Sequence, residues 1–136
     1  MIRNCFKLIV FSIVALMGLI CAYVINMCVE QAKRGKARTQ CINIIGNLNY
    51  KIQSGEISNQ TGVRRYLGEL ESDRGLFRTN SKGELVDPWK HPLIVKVHFD
   101  TNIALEIGSA ARDGIYGTLD DIVYTNIIGA RVSLSK

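Results

Sequence analysis

The sequence predicts an α+β fold: a long N-terminal helix, a short second helix and a small antiparallel sheet. Three observations predict it. Leu8 to Val29, "LIVFSIVALMGLICAYVINMCV", is a run of 22 residues without a charge. Beyond it, apolar residues recur at intervals of three and four as far as about Gln53. From Leu93 onward the period falls to two, and turn residues separate short β-rich segments. Helices first and strands afterwards is the order of an α+β domain, and the chain of 136 residues holds one small domain beside the apolar run.

The apolar run is the first element. At about 1.5 Å per residue it is about 33 Å long, enough to cross a hydrocarbon core of roughly 30 Å. About 110 further residues cannot surround a helix that is apolar on every side, so lipid is its expected surroundings. Arg3 and Lys7 resemble the n-region of a signal peptide, but the run exceeds the usual h-region of about 7–15 residues. No small-x-small cleavage site follows it, and Ile20 before Cys21 is too bulky for a lipoprotein signal. An uncleaved anchor is the expectation. Arg3 and Lys7 on one flank nearly balance Lys33, Arg34, Lys36 and Arg38 on the other, so charge alone sets no orientation. The basic cluster "KRGKAR" reads as an anchor to lipid headgroups.

The helix is expected to continue past the membrane. Ala32, Ala37, Cys41, Ile44, Ile45, Leu48 and Ile52 form one stripe, and Ser54-Gly55 ends it. A second helix is expected from the Ser58–Thr61 region, capped by Asn59 or Thr61, with Val63, Tyr66, Leu67 and Leu70 on one face and Asp73-Arg74-Gly75 closing it. The expected organisation is thus a membrane helix over residues 1–29, an amphipathic stem over 30–53 and a globular α+β domain over 54–136. In that domain "LIVKVHF" (Leu93 to Phe99) and "IALEIG" (Ile103 to Gly108) make a hairpin about the turn Asp100-Thr101-Asn102. "IVYTNII" (Ile122 to Ile128) is a third strand and "ARVSL" (Ala130 to Leu134) a short fourth.

Composition narrows the function. The net charge is +5; past the apolar run, 15 basic residues face 12 acidic ones, leaving about +3. That is too little to imply a nucleic-acid partner. Of the four cysteines only Cys41 lies beyond the run and its N-terminal flank, so the outer part holds no internal disulfide. His91 and His98 have opposite strand parity, a poor arrangement for a shared metal, and read as structural. There is no G-x-S-x-G and no P-loop, so neither an enzyme nor a small-molecule substrate is expected.

Two stretches remain. "SAARDGIYGTLDDI" (Ser109 to Ile122) places Asp113, Asp120 and Asp121 in one turn-rich loop. Three carboxylates so close repel one another unless water or a cation screens them. Calcium takes about six to eight oxygen ligands, mixing carboxylates with backbone carbonyls. Gly114 and Gly117 allow a tight backbone, and Ser109, Thr118 and carbonyls near Ala110 would complete a shell. It is not an EF-hand. On this chemistry alone a calcium site and a solvated turn both stand. "DPWKHPL" (Asp87 to Leu93) reads as a rigid lead-in to the first hairpin strand, with Trp89 packed on the long helix.

Together these stretches resemble the C-terminal domain of the major pseudopilin of type II secretion systems. That family carries D-P-W-G-x-P, a hairpin, then S-x-G-x-D-G-x-x-G-T-x-D-D-I. Here Asp87-Pro88-Trp89 and Pro92 are followed by Ser109, Asp113-Gly114, Gly117-Thr118 and Asp120-Asp121-Ile122, in the same order and at the same intervals. The long half-apolar helix also looks like a pilin stem. The resemblance implies a pilin-like fold and a calcium ion in the loop. Asp113 and Asp120 match the acidic ligands, and Asp121 the aspartate beside them. It further implies a single-pass protein of the inner membrane with its C-terminal domain outside the cytoplasm. Inner-membrane lipid and other pseudopilin subunits, or copies of itself, would be its partners, with the N-terminal helices stacking into a short secretion filament.

This chain departs from the family at several places. Aligned on Phe6, Cys5 stands where prepilins have the glycine before the cleaved bond, and Val10 where they have the glutamate used in assembly. Lys90 and Ala111 also replace glycines, and Arg112 beside the loop slightly disfavours a cation. The alternative expectation is therefore an uncleaved, single-pass binding or accessory protein that has the pilin-like fold and does not polymerise.

Overall fold

A computed structural model describes residues 2–70, 77–100 and 102–128. It is α+β, as expected. The elements in chain order are α1 (Ile2–Ser54), α2 (Gln60–Leu70), β1 (Arg78–Thr79), β2 (Leu85–Val86), β3 (Ile94–Phe99), β4 (Ile103–Ser109) and β5 (Ile122–Ile128). The chain divides into two units, Met1–Lys33 and Arg34–Lys136.

In the first unit α1 is apolar all round. Phe11, Val14, Leu19, Tyr23 and Ile25 are all exposed, so no stripe faces any protein core. By length and composition this helix can cross a membrane, with a mean hydropathy of 2.2 over its most apolar window. It begins at Ile2, earlier than the apolar run itself.

In the second unit the same helix becomes amphipathic. Ala37, Cys41, Ile44, Leu48 and Ile52 are buried, at spacings of four, three, four and four. Ile45 is half-buried at the edge of the stripe, and Ala32, expected in it, is exposed. The helix ends where expected: Gly55 has φ 83° and its N–H donates to the Ile52 carbonyl. Asn59 caps α2, its Oδ1 accepting the Gly62 N–H at 2.9 Å. Thr61, the other candidate cap, lies inside that helix. Val63, Tyr66 and Leu70 are the buried face of α2, and Leu67 is half-buried. The expected closing signal at residues 73–75 lies outside the described residues, as does the expected fourth strand at 130–134.

β3, β4 and β5 form an antiparallel sheet with β4 in the centre. Ile94 pairs with Gly108 and Phe99 with Ile103; Ile103 pairs with Ile128 and Ser109 with Ile122. The inward side chains Val97, Leu105, Ile107 and Ile128 join the helix stripes in one core. Each such side chain, fully buried, contributes about 1.5–3 kcal/mol over leaving it in water. The Gln60 amide donates to the Val97 carbonyl and ties α2 to edge strand β3.

The small hairpin of β1 and β2 has no counterpart in the sequence expectations. Asn80 organises it: its Oδ1 accepts the N–H groups of Lys82 and Glu84. Leu85 and Val86 are both buried, and the Leu85 carbonyl accepts the Leu93 N–H. The segment Asp87–Pro92 therefore starts and ends at one point on the small hairpin, where Val86 also bridges to Pro92.

Candidate functional site

The candidate site is the crossing from β4 to β5, held from below by the Asp87–Pro92 corner. Asp87 is the centre of that corner and is 2% exposed. Its Oδ1 accepts the N–H groups of Trp89 and His91, each at 2.9 Å. Its Oδ2 accepts the Ser109 hydroxyl at 2.6 Å. A buried carboxylate is costly unless its lone pairs are used, and here three donors use them. Ser109 also accepts the Ala111 N–H, at 3.1 Å. Ser109, expected among the groups that complete a shell, holds these two bonds below the loop.

His91 adds a second tie. Its Nδ1 lies 2.8 Å from the Ala111 carbonyl oxygen. Its ring also lies under Gly114, where an added Cβ would sit 2.9 Å from Nε2. Since Gly114 has φ 70°, both the turn and the space require glycine there. His91 is structural, as read from the sequence; His98 is exposed on β3. Trp89, expected to pack on the long helix, is half-buried.

Above these ties the loop doubles back. One ligand oxygen from each of Asp113, Asp120 and Asp121 lies within 4.8 Å of the others. The three residues singled out in the sequence do converge. Their own hydrogen bonds shape the loop. Asp113 Oδ1 accepts the Ile115 N–H at 2.9 Å, and Asp121 Oδ2 accepts those of Gly117 and Thr118 at 2.6 and 3.2 Å. Thr118 Oγ1 donates to Asp120 Oδ1 at 2.7 Å. That hydroxyl is the main reason the Asp120 carboxyl is held below its ordinary range, so it stays ionised.

The donor set fits a hard cation. Oxygens on opposite sides of a calcium ion are about 4.6–5.2 Å apart, given metal–oxygen distances of about 2.3–2.6 Å. The loop's three carboxylate oxygens, all within 4.8 Å of one another, are close enough to share one such ion. Asp113 and Asp120 each have an oxygen beyond the one that shapes the turn, and the second oxygen of Asp121 has only a long contact with Thr118 Oγ1, at 3.4 Å. A second divalent cation with oxygen preference would meet the same donors, so the geometry specifies an acidic, cation-sized cluster and no one metal.

Tyr116 was missed in the sequence. It leaves the loop and lies over the outer face of the sheet. Its hydroxyl donates to Glu106 at 2.9 Å, and Lys96 Nζ is 4.9 Å from its ring centre. Lys96 and Glu106 pair across β3 and β4 at 2.7 Å. The ring presses on Gly108, where an added Cβ would be 2.9 Å away. Burial first, then the Glu106 bond, push the Tyr116 hydroxyl up to about 12.

Lys90 and Ala111, beside the site, fall on unusual backbone. Lys90 has φ 75° and Ala111 φ 47°, the positive-φ non-glycine residues among those described. Left-handed backbone costs a side-chain-bearing residue roughly 1–2 kcal/mol. Compared with protein-family models, curated proteins and solved structures, the chain matches none.

Proposed function

We propose that this chain is a pseudopilin-like structural subunit, anchored in the inner membrane by its apolar helix, with its α+β domain outside the cytoplasm. The observation that carries this reading is the backbone at Lys90 and Ala111. Both are positions where the family pattern has glycine, and both have positive φ here. Positive φ is the conformation for which glycine is the usual residue, and this agreement with the pattern at both points supports the reading.

In this reading the loop carries one calcium ion, held by Asp113, Asp120 and Asp121. The ion would neutralise three crowded carboxylates and clamp the β4–β5 crossing. Beneath it, Asp87, Ser109 and His91 fix the loop's base so that the three carboxylates meet. The function is assembly through the helix and involves no chemical step.

A second reading has specific support. Cys5 and Val10 stand in place of the processing glycine and the assembly glutamate, which favours an uncleaved anchor that does not polymerise. Cysteine cross-linking in native membranes separates the two. Cys21 and Cys28 are exposed and seven residues apart, on one side of the helix. A bifunctional maleimide should give a ladder of multimers from a filament subunit. A monomer retaining Met1 by mass would favour the anchor.

A further inference from the structure

We infer that a groove at the outer edge of β3 takes an extended partner peptide, whose apolar residue is preceded by an acidic residue and followed by a basic one. The groove lies between β3, α2 and the small hairpin and measures about 310 Å³. Leu67, Leu85, Leu93 and Val95 line it, with Arg64 on the α2 wall and Glu84 on the hairpin wall. That volume is at the small end of ligand sites, about 300–1,000 Å³.

The backbone at the edge is the first observation. The Leu93 N–H donates to the Leu85 carbonyl, and the Val97 carbonyl accepts the Gln60 amide. Backbone groups along a strand point alternately to its two edges, so Val95, midway between these two, points its N–H and C=O the same way. The hairpin parts from β3 at this point. Gly83, which the register of Val86 with Pro92 would set opposite Val95, donates its N–H to Asn80 instead. Among the described residues no backbone group meets Val95 on that edge. One residue of an antiparallel peptide would exchange both bonds with it.

The floor is the second observation. A residue opposite Val95 shares its face of the sheet. That face is the inner one, since Val95 pairs with the buried Ile107. Leu67, Leu93 and Val95 are half-buried there against the core, and an apolar side chain in the groove would extend that core. Charge is the third. Arg64 is one turn on from Gln60 and stands toward the Val97 end; Glu84 precedes Leu85 and stands toward the Leu93 end. A peptide antiparallel to β3 therefore meets Arg64 before its apolar residue and Glu84 after it. Among the described residues Arg64 forms no ion pair, and Glu84 keeps its charge while one oxygen accepts the Asn80 amide at 2.8 Å. Of the neighbouring charges, Lys82 lies on the hairpin turn outside the lining, and Arg65 lines a separate cleft with Glu56 and Glu69.

The test is a titration of the isotope-labelled full chain, in detergent micelles, with acetyl-Glu-Thr-Leu-Thr-Lys-amide, read at the backbone amides. The expected result is a saturable shift centred on Val95, with a Kd of about 0.1–1 mM. Alanine in place of the peptide's leucine should weaken binding about tenfold. Exchanging the peptide's two charged residues should weaken it about fivefold, and Arg64→Glu on the chain should do the same. A peptide with lysine in place of its glutamate should recover the loss on the Arg64→Glu chain, which a misfolded variant would not allow. No shift at Val95, while the amides of β3 to β5 keep their folded positions, overturns the inference. Equal binding of the charge-exchanged peptide overturns it too. A shift at Val95 that follows chain concentration with no peptide present assigns the groove to a second copy and likewise overturns it.

Discussion

Asp87 and the aspartates of the following loop are one residue type under opposite conditions. Asp87 is buried, and three donors converge on it. Asp113 is exposed, Asp120 and Asp121 are half-buried, and much of what they hold is the turn itself. The first satisfies its charge with protein groups and needs nothing from solution. The others gather charge that the protein does not fully compensate. The contrast teaches where stability and ligand response should separate: the corner holds the fold, and the loop responds to cations.

The sharpest way to break that contrast is Asp87→Ala. It leaves two N–H groups and the Ser109 hydroxyl without their acceptor beneath the sheet, and should lower unfolding free energy by about 3–5 kcal/mol. Denaturant midpoints of the full chain in detergent would measure it. A loss below about 1 kcal/mol would mean that the corner does not hold the loop.

Calcium is next. At a hundredfold excess over Kd, an ion bound only to the folded chain should raise stability by about 2.7 kcal/mol over chelator. Asp113→Ala should abolish that rise while moving the chelated midpoint by no more than about 0.5 kcal/mol. A loop variant as damaging in chelator as Asp87→Ala would erase the distinction.

Alkaline pH sharpens it from below. Cys41 is buried in the stem, and burial, then the charge of Asp87, push its thiol from 9.0 up to about 11. A folded pKa above the unfolded one contributes stability that is complete below pH 9.0 and lost as pH rises through about 11. A fall of roughly 1–2 kcal/mol across that window, absent in Cys41→Ala, would report the burial of the stem thiol first and Asp87's charge second.

The smallest effect is a gain. Lys90→Gly relieves a left-handed lysine on the surface and should add about 1 kcal/mol. Ala111→Gly should be near neutral, because the relief is offset by loss of a fully buried methyl, about 0.8 kcal/mol.

Much of this was legible in the sequence because it is periodic. The helix stripes, β3 to β5 and the Gly55 stop follow from spacing, and three aspartates in one glycine-containing loop announce their own convergence. The small β1–β2 hairpin was not legible, since two residues carry no period. Asp87 was read only as part of a proline-rich corner. Its Asx-type bond to Trp89 has a local signal, an aspartate two residues before the donor. Its burial has none, because it depends on Ser109, 22 positions away. The same distance hides Ser109's bond to Asp87 from the sequence. Tyr116 has no local mark either: its partner Glu106 is on the strand before the loop.

The wedge of His91 under Gly114 has a historical side. Any side chain at 114 meets both a left-handed backbone and an imidazole, so His91 would have to shrink first. The smaller residue at 91 would in turn release the Ala111 carbonyl, and with it an alanine already held at positive φ. Substitutions at 91, 111 and 114 can therefore be accepted only in certain orders. A lineage that replaced Lys90 or Ala111 by glycine would have more freedom to explore them than this one does.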